Sequence, residues 1–356
     1  MSFEVNGHNI FLIVFVCFIS SFLLMFLIKK ISNYLGILDV PNLKRKIHTT
    51  PIPLLGGIGI FLSFLIGYML FAPKNTLMLS VLISSFLVLL LGIFDDFGKK
   101  EQKTIPAKYK FIVHIIIASI IVFYGGLELT NVSIFNLNIN FGFLSPFITI
   151  FIIVGSINAI NFIDGLDGLC AGISSIYFLT IAIIALGLNM LGGLDVILSL
   201  IMLGATLGYL FHNFPPATIY QGDTGSTFLG LMIAVIALIG FKTLTLTSLI
   251  IPLIVLFIPI IDMIFAILRR KIKGMKITDA DANHIHHQLL KMGLAKRKSI
   301  LVIYGIDLIF SVTSIFYALG YRNEMIVSYV FIIFFVLFLI FKTDILFERK
   351  EKKEKK

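Results

Sequence analysis

Residues 77–96 read LMLSVLISSFLVLLLGIFDD, and this run sets the class of fold. Its first 18 residues carry no charge, and a helix needs about 20 mainly apolar residues to cross the hydrocarbon core of a bilayer. The run then ends in Asp95 and Asp96, two adjacent carboxylates where the predicted helix meets water. It therefore predicts a transmembrane helix that carries acidic side chains to the membrane surface.

The composition of the whole chain agrees with this local pattern. Of its 356 residues, 58% are hydrophobic and 13% are charged, whereas soluble domains average about 45–50% and about 25%. These values exclude a secreted domain, a disordered chain and a soluble domain on a single anchor. The two cysteines, Cys17 and Cys170, lie in apolar or small-residue runs, so we expect neither a disulfide framework nor a thiolate metal site.

Charge-poor runs predict an all-α polytopic integral membrane protein with ten or eleven transmembrane helices. The fifth run is short and begins at Ser145 and Pro146, which leaves the number open. We expect a single transmembrane domain over residues 1–356. The predicted spans lie near residues 9–28, 54–72, 77–94, 111–125, 145–160, 170–188, 195–211, 226–241, 246–267, 300–318 and 325–341.

The positions of the cations predict the topology. With eleven spans, 26 of the 29 Lys and Arg residues fall on one side, and only Lys74, Lys242 and Arg322 fall on the other. The positive-inside rule makes the cation-rich side cytoplasmic, with the N-terminus outside and the C-terminus inside. We therefore read the net charge of +10 as a topology signal and expect no nucleic-acid partner.

Two further segments are readable from their pattern. Residues 130–142, TNVSIFNLNINFG, alternate apolar and polar side chains, which predicts a small external β-hairpin. The basic tail, residues 342–356, ends in EKKEKK and is interpreted as a solvated cytoplasmic anchor, with binding of lipid headgroups as the alternative.

Polar clusters are concentrated in the predicted cytoplasmic segments. Because successive spans cross the membrane in alternate directions, all of these segments lie on one face of the membrane. This convergence predicts a cytoplasmic active site. The predicted active-site loops are residues 29–53, 95–110, 158–169, 212–226 and 268–299.

The paired acids Asp95 and Asp96 repel each other, and burial at a membrane edge disfavours their charge. They therefore need a metal, a cation or a raised pKa. The alternative is a helix end neutralised by the neighbouring Lys99 and Lys100. An aspartate-rich prenyltransferase motif is disfavoured, because Lys99 stands where a third acid would be.

The segment NAINFIDGLDG, residues 158–168, places four oxygen-bearing side chains at spacings of three. On a helix, such residues share one face, and oxygen ligands of this kind suit Mg²⁺. A purely structural role is the alternative. The four residues are Asn158, Asn161, Asp164 and Asp167.

The segment FHNFPPATIYQGDTGSTFLG follows the seventh predicted span. Pro215 and Pro216 forbid a regular helix, and the eighth span begins near Asp223. Asp223 is either an N-cap or a ligand for a metal that bridges phosphates, and the motif alone does not separate these roles.

The segment DADANHIHHQLLKMGL, residues 279–294, predicts an amphipathic helix on which His284 and His287 share a face and His286 lies to the side. Zinc is disfavoured, because no two of these histidines are four residues apart. Contacts to a diphosphate or sugar, beside Arg269 and Arg270, explain them better.

Two more features are candidates for the same face. Lys46 and His48 belong to a basic patch, DVPNLKRKIHTTPIPLLGG, which is either a topology anchor or a clamp for an anionic lipid or nucleotide. Asp262 lies inside a predicted span near its cytoplasmic end, where an acid is costly in lipid, and is therefore also a site candidate.

Taken in order from Asp39 to Leu290, these segments resemble the polyprenyl-phosphate N-acetylhexosamine-1-phosphate transferase family, also called glycosyltransferase family 4. NAINFIDGLDG and QGDTGS carry the resemblance most specifically. Together with HIHHQLL, they look more like the branch that transfers N-acetylglucosamine-1-phosphate to undecaprenyl phosphate. The alternative is the phospho-N-acetylmuramoyl-pentapeptide transferase of peptidoglycan synthesis, which usually has Thr where Ile163 stands.

The resemblance implies a reaction and a metal. Undecaprenyl phosphate would attack a UDP-N-acetylhexosamine, releasing UMP and starting a cell-envelope glycan, with Mg²⁺ (or Mn²⁺) bound by Asn161 and Asp223. Asp95 and Asp96 would lie by the lipid phosphate, one of them as a base or nucleophile, and Asp164 and Asp167 would contact nucleotide or hold the site together. Direct in-line attack by the lipid phosphate is the favoured mechanism, with a covalent aspartyl-phosphate as the alternative. The implied substrate-binding set is Lys108 or Lys110, Asn158, Asn213, His284, His286, His287, Arg269, Arg270, Lys46 and His48.

The resemblance also implies a bacterial inner-membrane enzyme with its active site on the cytoplasmic face. A homodimer is left open. A transporter or flippase is the alternative of another class, but transporters usually bind at the midplane and often show repeats. Here the polar groups cluster at one interface, and the sequence shows no repeat.

Overall fold

The computed structural model describes seven parts of the chain. They are residues 4–41, 50–100, 103–134, 137–190, 193–242, 250–275 and 284–342.

Helices dominate the described residues. In chain order they are α1 Ile10–Leu35, α2 Gly56–Phe71, α3 Thr76–Lys100, α4 Ala107–Ser119, α5 Ser145–Ile163, α6 Leu169–Gly187, α7 Leu194–Asn213, α8 Gly222–Lys242, α9 Ile250–Val255, α10 Phe257–Ile272, α11 Ile285–Lys291, α12 Lys296–Ala318 and α13 Arg322–Lys342. A π-helical turn, Ile120–Tyr124, continues α4, and a 3₁₀ turn, Gly142–Leu144, precedes α5.

The strands are short and form three antiparallel pairs. They are β1 Glu4–Val5 with β2 His8–Asn9, β3 Leu38–Asp39 with β4 Ile52–Pro53, and β5 Asn131–Ile134 with β6 Leu137–Asn140. The last pair is the hairpin predicted from the alternating pattern.

Nine helices in the described part of the chain are long and apolar enough to cross a membrane. This confirms an all-α, multi-pass membrane protein. The helix α2 has only 16 residues. The span predicted over residues 246–267 is interrupted in its described part, where Leu256 separates α9 from α10. Pro259 lies in the first turn of α10, where its missing N–H costs no hydrogen bond, and this explains a helix start at that point.

The helix α8 forms the centre of the bundle. Nearly all of its membrane-length window is buried, and it packs against α2, α3, α5 and α7. By contrast, α1 and α13 leave most of their surface outside the bundle, as expected for helices that face lipid. The first turn of α8 therefore lies in the middle of one end of the bundle.

Glycines let the neighbouring helices approach that first turn closely. A Cβ on Gly92 of α3 would overlap the backbone of Thr224, and a Cβ on Gly57 of α2 would overlap the backbone of Gly225. Small residues at such contacts allow close backbone packing between membrane helices. The start of α8 is therefore held by direct backbone contact with α2 and α3.

The hairpin lies at the opposite end of the bundle from this contact. It connects the end of the α4 segment, near Tyr124, with the start of α5 at Ser145. The first residues of α4 and the last residues of α5 are thereby at the end of the bundle where α8 begins.

Substitution of Gly92 by Ala is expected to lower the melting temperature of the detergent-purified protein, because the added methyl must push the start of α8 away. Gly155→Ala in α5 is the matched control, since a Cβ there meets no atom within 4 Å. Equal melting temperatures for the two variants would contradict the predicted role of the α3–α8 contact.

Candidate active site

Five charged residues from three helices form a cluster that we call the charged ring: Asp95, Asp96, Lys99, Lys110 and Asp223. The ammonium of Lys99 lies 2.7 Å from an oxygen of Asp96 and 2.7 Å from Oδ1 of Asp223. The ammonium of Lys110 lies 2.7 Å from Oδ2 of Asp95 and 2.7 Å from Oδ2 of Asp223. Three carboxylates and two ammonium groups thus alternate, and the ring carries one net negative charge.

Asp96 caps the N-terminus of α8 from the neighbouring helix α3. Its Oδ1 accepts the N–H of Asp223 at 3.1 Å, and its Oδ2 accepts the N–H and the hydroxyl of Thr224 at 3.1 and 2.6 Å. Asp96 is fully buried, and a carboxylate is favourable at a helix N-terminus. A Cβ on Gly222 would overlap this carboxylate, so glycine is required there.

The helix α3 continues past the paired aspartates to Lys100, one turn beyond the apolar run that predicts the span. The extra turn brings Lys99 onto the face of Asp96, because residues three apart on a helix are neighbours. From the sequence, Lys99 is expected only to flank the acids. Its spacing from Asp96 is the one signal that points to its place between two carboxylates.

The segment between α3 and α4 folds back onto Asp95. The N–H of Ile105 donates to Oδ1 of Asp95 at 2.9 Å, and Asp95 is 1% exposed. Of the two lysines that compete for the site, the structure places Lys110 in the ring. Lys108 is exposed, with its Nζ 4.7 Å from the centroid of the Tyr109 ring.

The prediction of one polar helix face over residues 158–167 is wrong in its second half. The helix α5 ends at Ile163, and Asp164 has non-helical backbone angles. Asn161 donates from Nδ2 to the hydroxyl of Ser226 in the first turn of α8 at 2.8 Å. Asn158 donates instead to Val154 O in its own helix. Only Asn161 of this pair therefore links α5 to the start of α8.

Asp164 lies just beyond the helix and is half-buried. Burial raises the pKa of Asp164 to about 7, although the Gln221 amide and the Lys99 ammonium oppose the shift. The carboxyl group also interacts electrostatically with Asp223. Asp164 is therefore an acid beside the charged ring whose charge changes near neutral pH.

Asp167 and Asn213 join two loops to each other. Asp167 accepts the Tyr220 hydroxyl at 2.9 Å and the Ala217 N–H at 3.2 Å. Asn213 accepts the Gly168 N–H at 2.8 Å and donates to a backbone carbonyl at 2.9 Å. Both side chains hold the loop after α5 against the loop after α7. The predicted substrate contact of Asn213 remains a prediction.

The histidines lie beside α10, held by Asp262. Oδ1 of Asp262 accepts the N–H of Ile285 at 3.0 Å, and Oδ2 lies 2.9 Å from Nδ1 of His284. The helix α11 begins only at Ile285, so the prediction that His284 and His287 share a helix face is wrong. The described rings are nevertheless close: those of His284 and His286 are stacked at 5.7 Å between centroids.

His286 lies deepest in this group. It is 2% exposed, and burial together with neighbouring His287 lowers its pKa to about 3. The imidazole is therefore neutral at pH 7 and offers hydrogen bonds rather than charge. A Cβ on Gly165 would come 2.7 Å from Nε2 of His286, which places the ring directly on the loop after α5.

The end of α10 brings two buried cations to the same region. Arg269 and Arg270 are 3% and 4% exposed, and the Arg270 guanidinium carbon lies 5.3 Å from the centroid of the Phe162 ring. Since Phe162 follows Asn161, the cationic end of α10 lies beside the end of α5. Lys46 and His48 lie outside the described residues.

The charged ring also contains the atoms that a metal ion would need. One carboxylate oxygen from each of Asp95, Asp96 and Asp223 lies within 4.8 Å of the other two. An all-oxygen donor set suits Mg²⁺, and the two ammonium groups show that cations are already stabilised among these acids. Asp223 is the most exposed of the three, at 19%. The chemistry of these donors therefore fits a hard divalent cation, and Asp223 is the carboxylate that such a cation could reach from solvent.

The fold and this cluster define a multi-pass membrane protein with an acid–lysine site at one end of its helical bundle. A model of the glycosyl transferase family 4 matches residues 78–241, which contain the whole charged ring. The chain belongs to this family, as the following relatives also show.

The similar proteins cover most of this chain. A protein named probable undecaprenyl-phosphate N-acetylglucosaminyl 1-phosphate transferase, from Bacillus subtilis, is 41% identical, with 84% of each chain covered. The decaprenyl-phosphate N-acetylglucosaminephosphotransferase of Mycobacterium tuberculosis is 31% identical, over 82% of this chain and 78% of its own. The phospho-N-acetylmuramoyl-pentapeptide-transferase of a Geobacillus species is 32% identical, over 75% and 84%.

Replacement of Asp96 by Asn is expected to lower the free energy of unfolding by roughly 1–3 kcal/mol, because buried donors at the start of α8 lose an acceptor. A melting curve in detergent measures this loss, with the exposed Glu324→Gln as the isosteric control. A variant that melts like the wild type would show that the cap does not hold α8.

Asp164→Asn is expected to raise the melting temperature in EDTA-containing buffer, and the gain should grow from pH 5 to pH 8. A folded-state pKa raised to about 7 means that proton binding stabilises the fold at low pH, and that this contribution is lost as the pH rises through 7. Asn mimics the protonated group at every pH. A gain that is independent of pH, or larger at pH 5, would contradict the shift.

Proposed function

We propose that the protein transfers N-acetylglucosamine-1-phosphate from UDP-N-acetylglucosamine to undecaprenyl phosphate at the cytoplasmic face of the bacterial cell membrane. UMP leaves, and the product is a lipid-linked diphospho-sugar. The names of the Bacillus and Mycobacterium relatives support this choice of sugar and of a polyprenyl phosphate acceptor. Identity of 41% to the first, against 32% to the pentapeptide transferase, favours it over that alternative.

The charged ring is the observation that carries the proposal. Phosphoryl transfer depends mainly on positioning and on neutralising charge, and Lys99 and Lys110 bring two cations to one partly exposed carboxylate, Asp223. The site lies at the end of membrane-spanning helices, where a lipid phosphate and a water-soluble nucleotide can meet. A transporter is disfavoured, because such proteins usually bind their substrate at the midplane.

The acids of the ring differ in solvent exposure, and this difference assigns them different roles. Asp95 and Asp96 are 1% and 0% exposed, and both are engaged by backbone N–H groups. They therefore suit the task of holding the helices and the lysines rather than attacking a substrate. The accessible edge of the ring is formed by Lys99, Lys110 and Asp223, whose side chains are 33%, 22% and 19% exposed.

The nucleophile is then the lipid phosphate itself. A phosphate monoester has a second pKa near 6, so it is mostly ionised at pH 7 and needs no general base. Lys110 would orient this phosphate for in-line attack on the sugar-proximal phosphorus, and Asp95 would hold Lys110 in place. Exchange of one diphosphate for another makes the reaction readily reversible.

Mg²⁺ is the proposed cofactor, held by Asp223 and Asn161, with Mn²⁺ as a substitute. When bound, it would supply positive charge against the phosphates. Asn161 fits this task because its Nδ2 donates to Ser226, and this bond fixes the side chain beside the first turn of α8. Asp223 fits because both of its oxygens already attract cations at 2.7 Å.

The histidine cluster is the proposed site for the UDP-sugar. His284 is fixed by Asp262, and His286 is neutral, so these rings provide directional hydrogen bonds for a diphosphate or sugar. Arg269 and Arg270 supply the positive charge beside them. The loop after α5, which carries Asp164, separates this cluster from the charged ring.

The test is UMP release by detergent-purified protein with undecaprenyl phosphate, Mg²⁺ and a panel of UDP-sugars. We expect turnover with UDP-N-acetylglucosamine and none in EDTA. Preference for UDP-N-acetylmuramoyl-pentapeptide would support the peptidoglycan alternative. The absence of UMP release with every donor would contradict the proposed activity.

Asp223→Asn is expected to abolish UMP release while the protein remains inserted and melts like the wild type. The substitution removes the charge at the accessible edge of the ring but leaves the Asp96 cap, which uses only the backbone of residue 223. Glu324→Gln serves as the matched neutralisation outside the site. Retained turnover in the Asp223 variant would exclude a role for this carboxylate in metal or phosphate binding.

A further inference from the structure

The N-terminal part of α12 contacts both loops that lead to the charged ring. The Tyr304 hydroxyl donates to the carbonyl of Gly168. About two helical turns before Tyr304, Arg297 donates from Nε to the carbonyl of Pro215 at 2.6 Å, and Lys296 lies 3.9 Å from Oδ2 of Asp167. The three residues of α12 that make these contacts lie outside residues 78–241, the segment that the family model matches, whereas the groups that they contact lie inside it.

Tyr304 fits against the backbone of α6 rather than against side chains. A Cβ on Gly172 would overlap the Tyr304 hydroxyl, and Gly168 lies one turn earlier, where it is the N-cap of α6 with a φ of 79°. The ring therefore occupies a shallow groove made by two glycines. In this groove the Tyr304 hydroxyl donates to the carbonyl of Gly168, the last residue of the loop after α5.

The same loop is held at its other end by the histidine cluster, where His286 packs on Gly165. His286 and Tyr304 belong to one continuous stretch, residues 284–304, which the structure describes in full. One stretch of chain therefore holds both ends of the loop that carries Asp164.

We propose that Tyr304 is a positioning residue for the transfer reaction and acts by fixing Gly168 and, through it, the carboxyl group of Asp164. The inference rests on the proposed function. Asp164 interacts electrostatically with Lys99 and Asp223, and such interactions in a poorly solvated site change steeply with distance. Loss of the hydroxyl contact would let the loop shift and would weaken the arrangement of charge around the reacting phosphates.

Tyr304→Phe keeps the aromatic ring and removes only the hydroxyl. We expect kcat for UMP release to fall about threefold to tenfold, as for the loss of one hydrogen bond that fixes a site. The KM values for both substrates should stay within about twofold, since no substrate contact is removed. Tyr321→Phe is the matched control, because Tyr321 is 56% exposed beyond the far end of α12, and it should leave kcat unchanged.

A double-mutant cycle with Asp164→Asn separates positioning from general destabilisation. If Tyr304 acts through Asp164, Tyr304→Phe should cost much less turnover in the Asp164→Asn background than in the wild type. Equal fold-losses in the two backgrounds, or an unchanged kcat in the single variant, would overturn the proposal.

Amide hydrogen exchange provides a readout that does not depend on turnover. The peptide covering residues 160–172 should exchange faster in Tyr304→Phe than in the wild type and in Tyr321→Phe. If the wild type releases no UMP with any donor, the proposed function fails and this reaction role fails with it. Faster exchange would then still show that Tyr304 fixes the loop, while unchanged exchange would overturn that claim as well.

Discussion

The cap that Asp96 places on the first turn of α8 is the interaction on which the site depends. Asp96 belongs to α3, and it accepts the backbone N–H groups of Asp223 and Thr224 from inside the bundle. Because α8 is the central helix, this contact fixes the position of Asp223 between two lysines. Gly92 and Gly57 make the contact geometrically feasible by letting α3 and α2 approach the backbone of α8.

A carboxylate that caps a neighbouring helix is also found at the histidine cluster. Asp262 of α10 accepts the first N–H of α11 and also contacts His284. In the same way, Asp96 accepts the first N–H groups of α8 and also contacts Lys99. In both places an acid on a long helix satisfies the orphan N–H groups of another helix and orients a basic side chain. Acids in membrane-spanning segments are costly unless paired, so these two are explained by the helix ends that they hold.

The sequence predicts much of the fold and the membership of the site, but not how its residues pair. Apolar runs predict most of the spans, and the alternation of apolar and polar residues predicts the hairpin. Both signals are local in the sequence. The pairing of Lys99 with Asp223 joins residues 124 positions apart and depends on how α3 packs on α8. Spacing alone also predicts that Asp164 and Asp167 lie on a helix, although α5 ends at Ile163, and it gives no sign of Tyr304.

The central claim is that the accessible edge of the charged ring gathers a divalent cation and the substrate phosphates. Electron paramagnetic resonance of Mn²⁺ added to the purified protein with UDP-N-acetylglucosamine tests it most directly, because it reports binding without turnover. The account predicts one bound Mn²⁺ per wild-type chain, and none in an Asp223→Asn variant that melts normally. Equal Mn²⁺ binding by both proteins would contradict it.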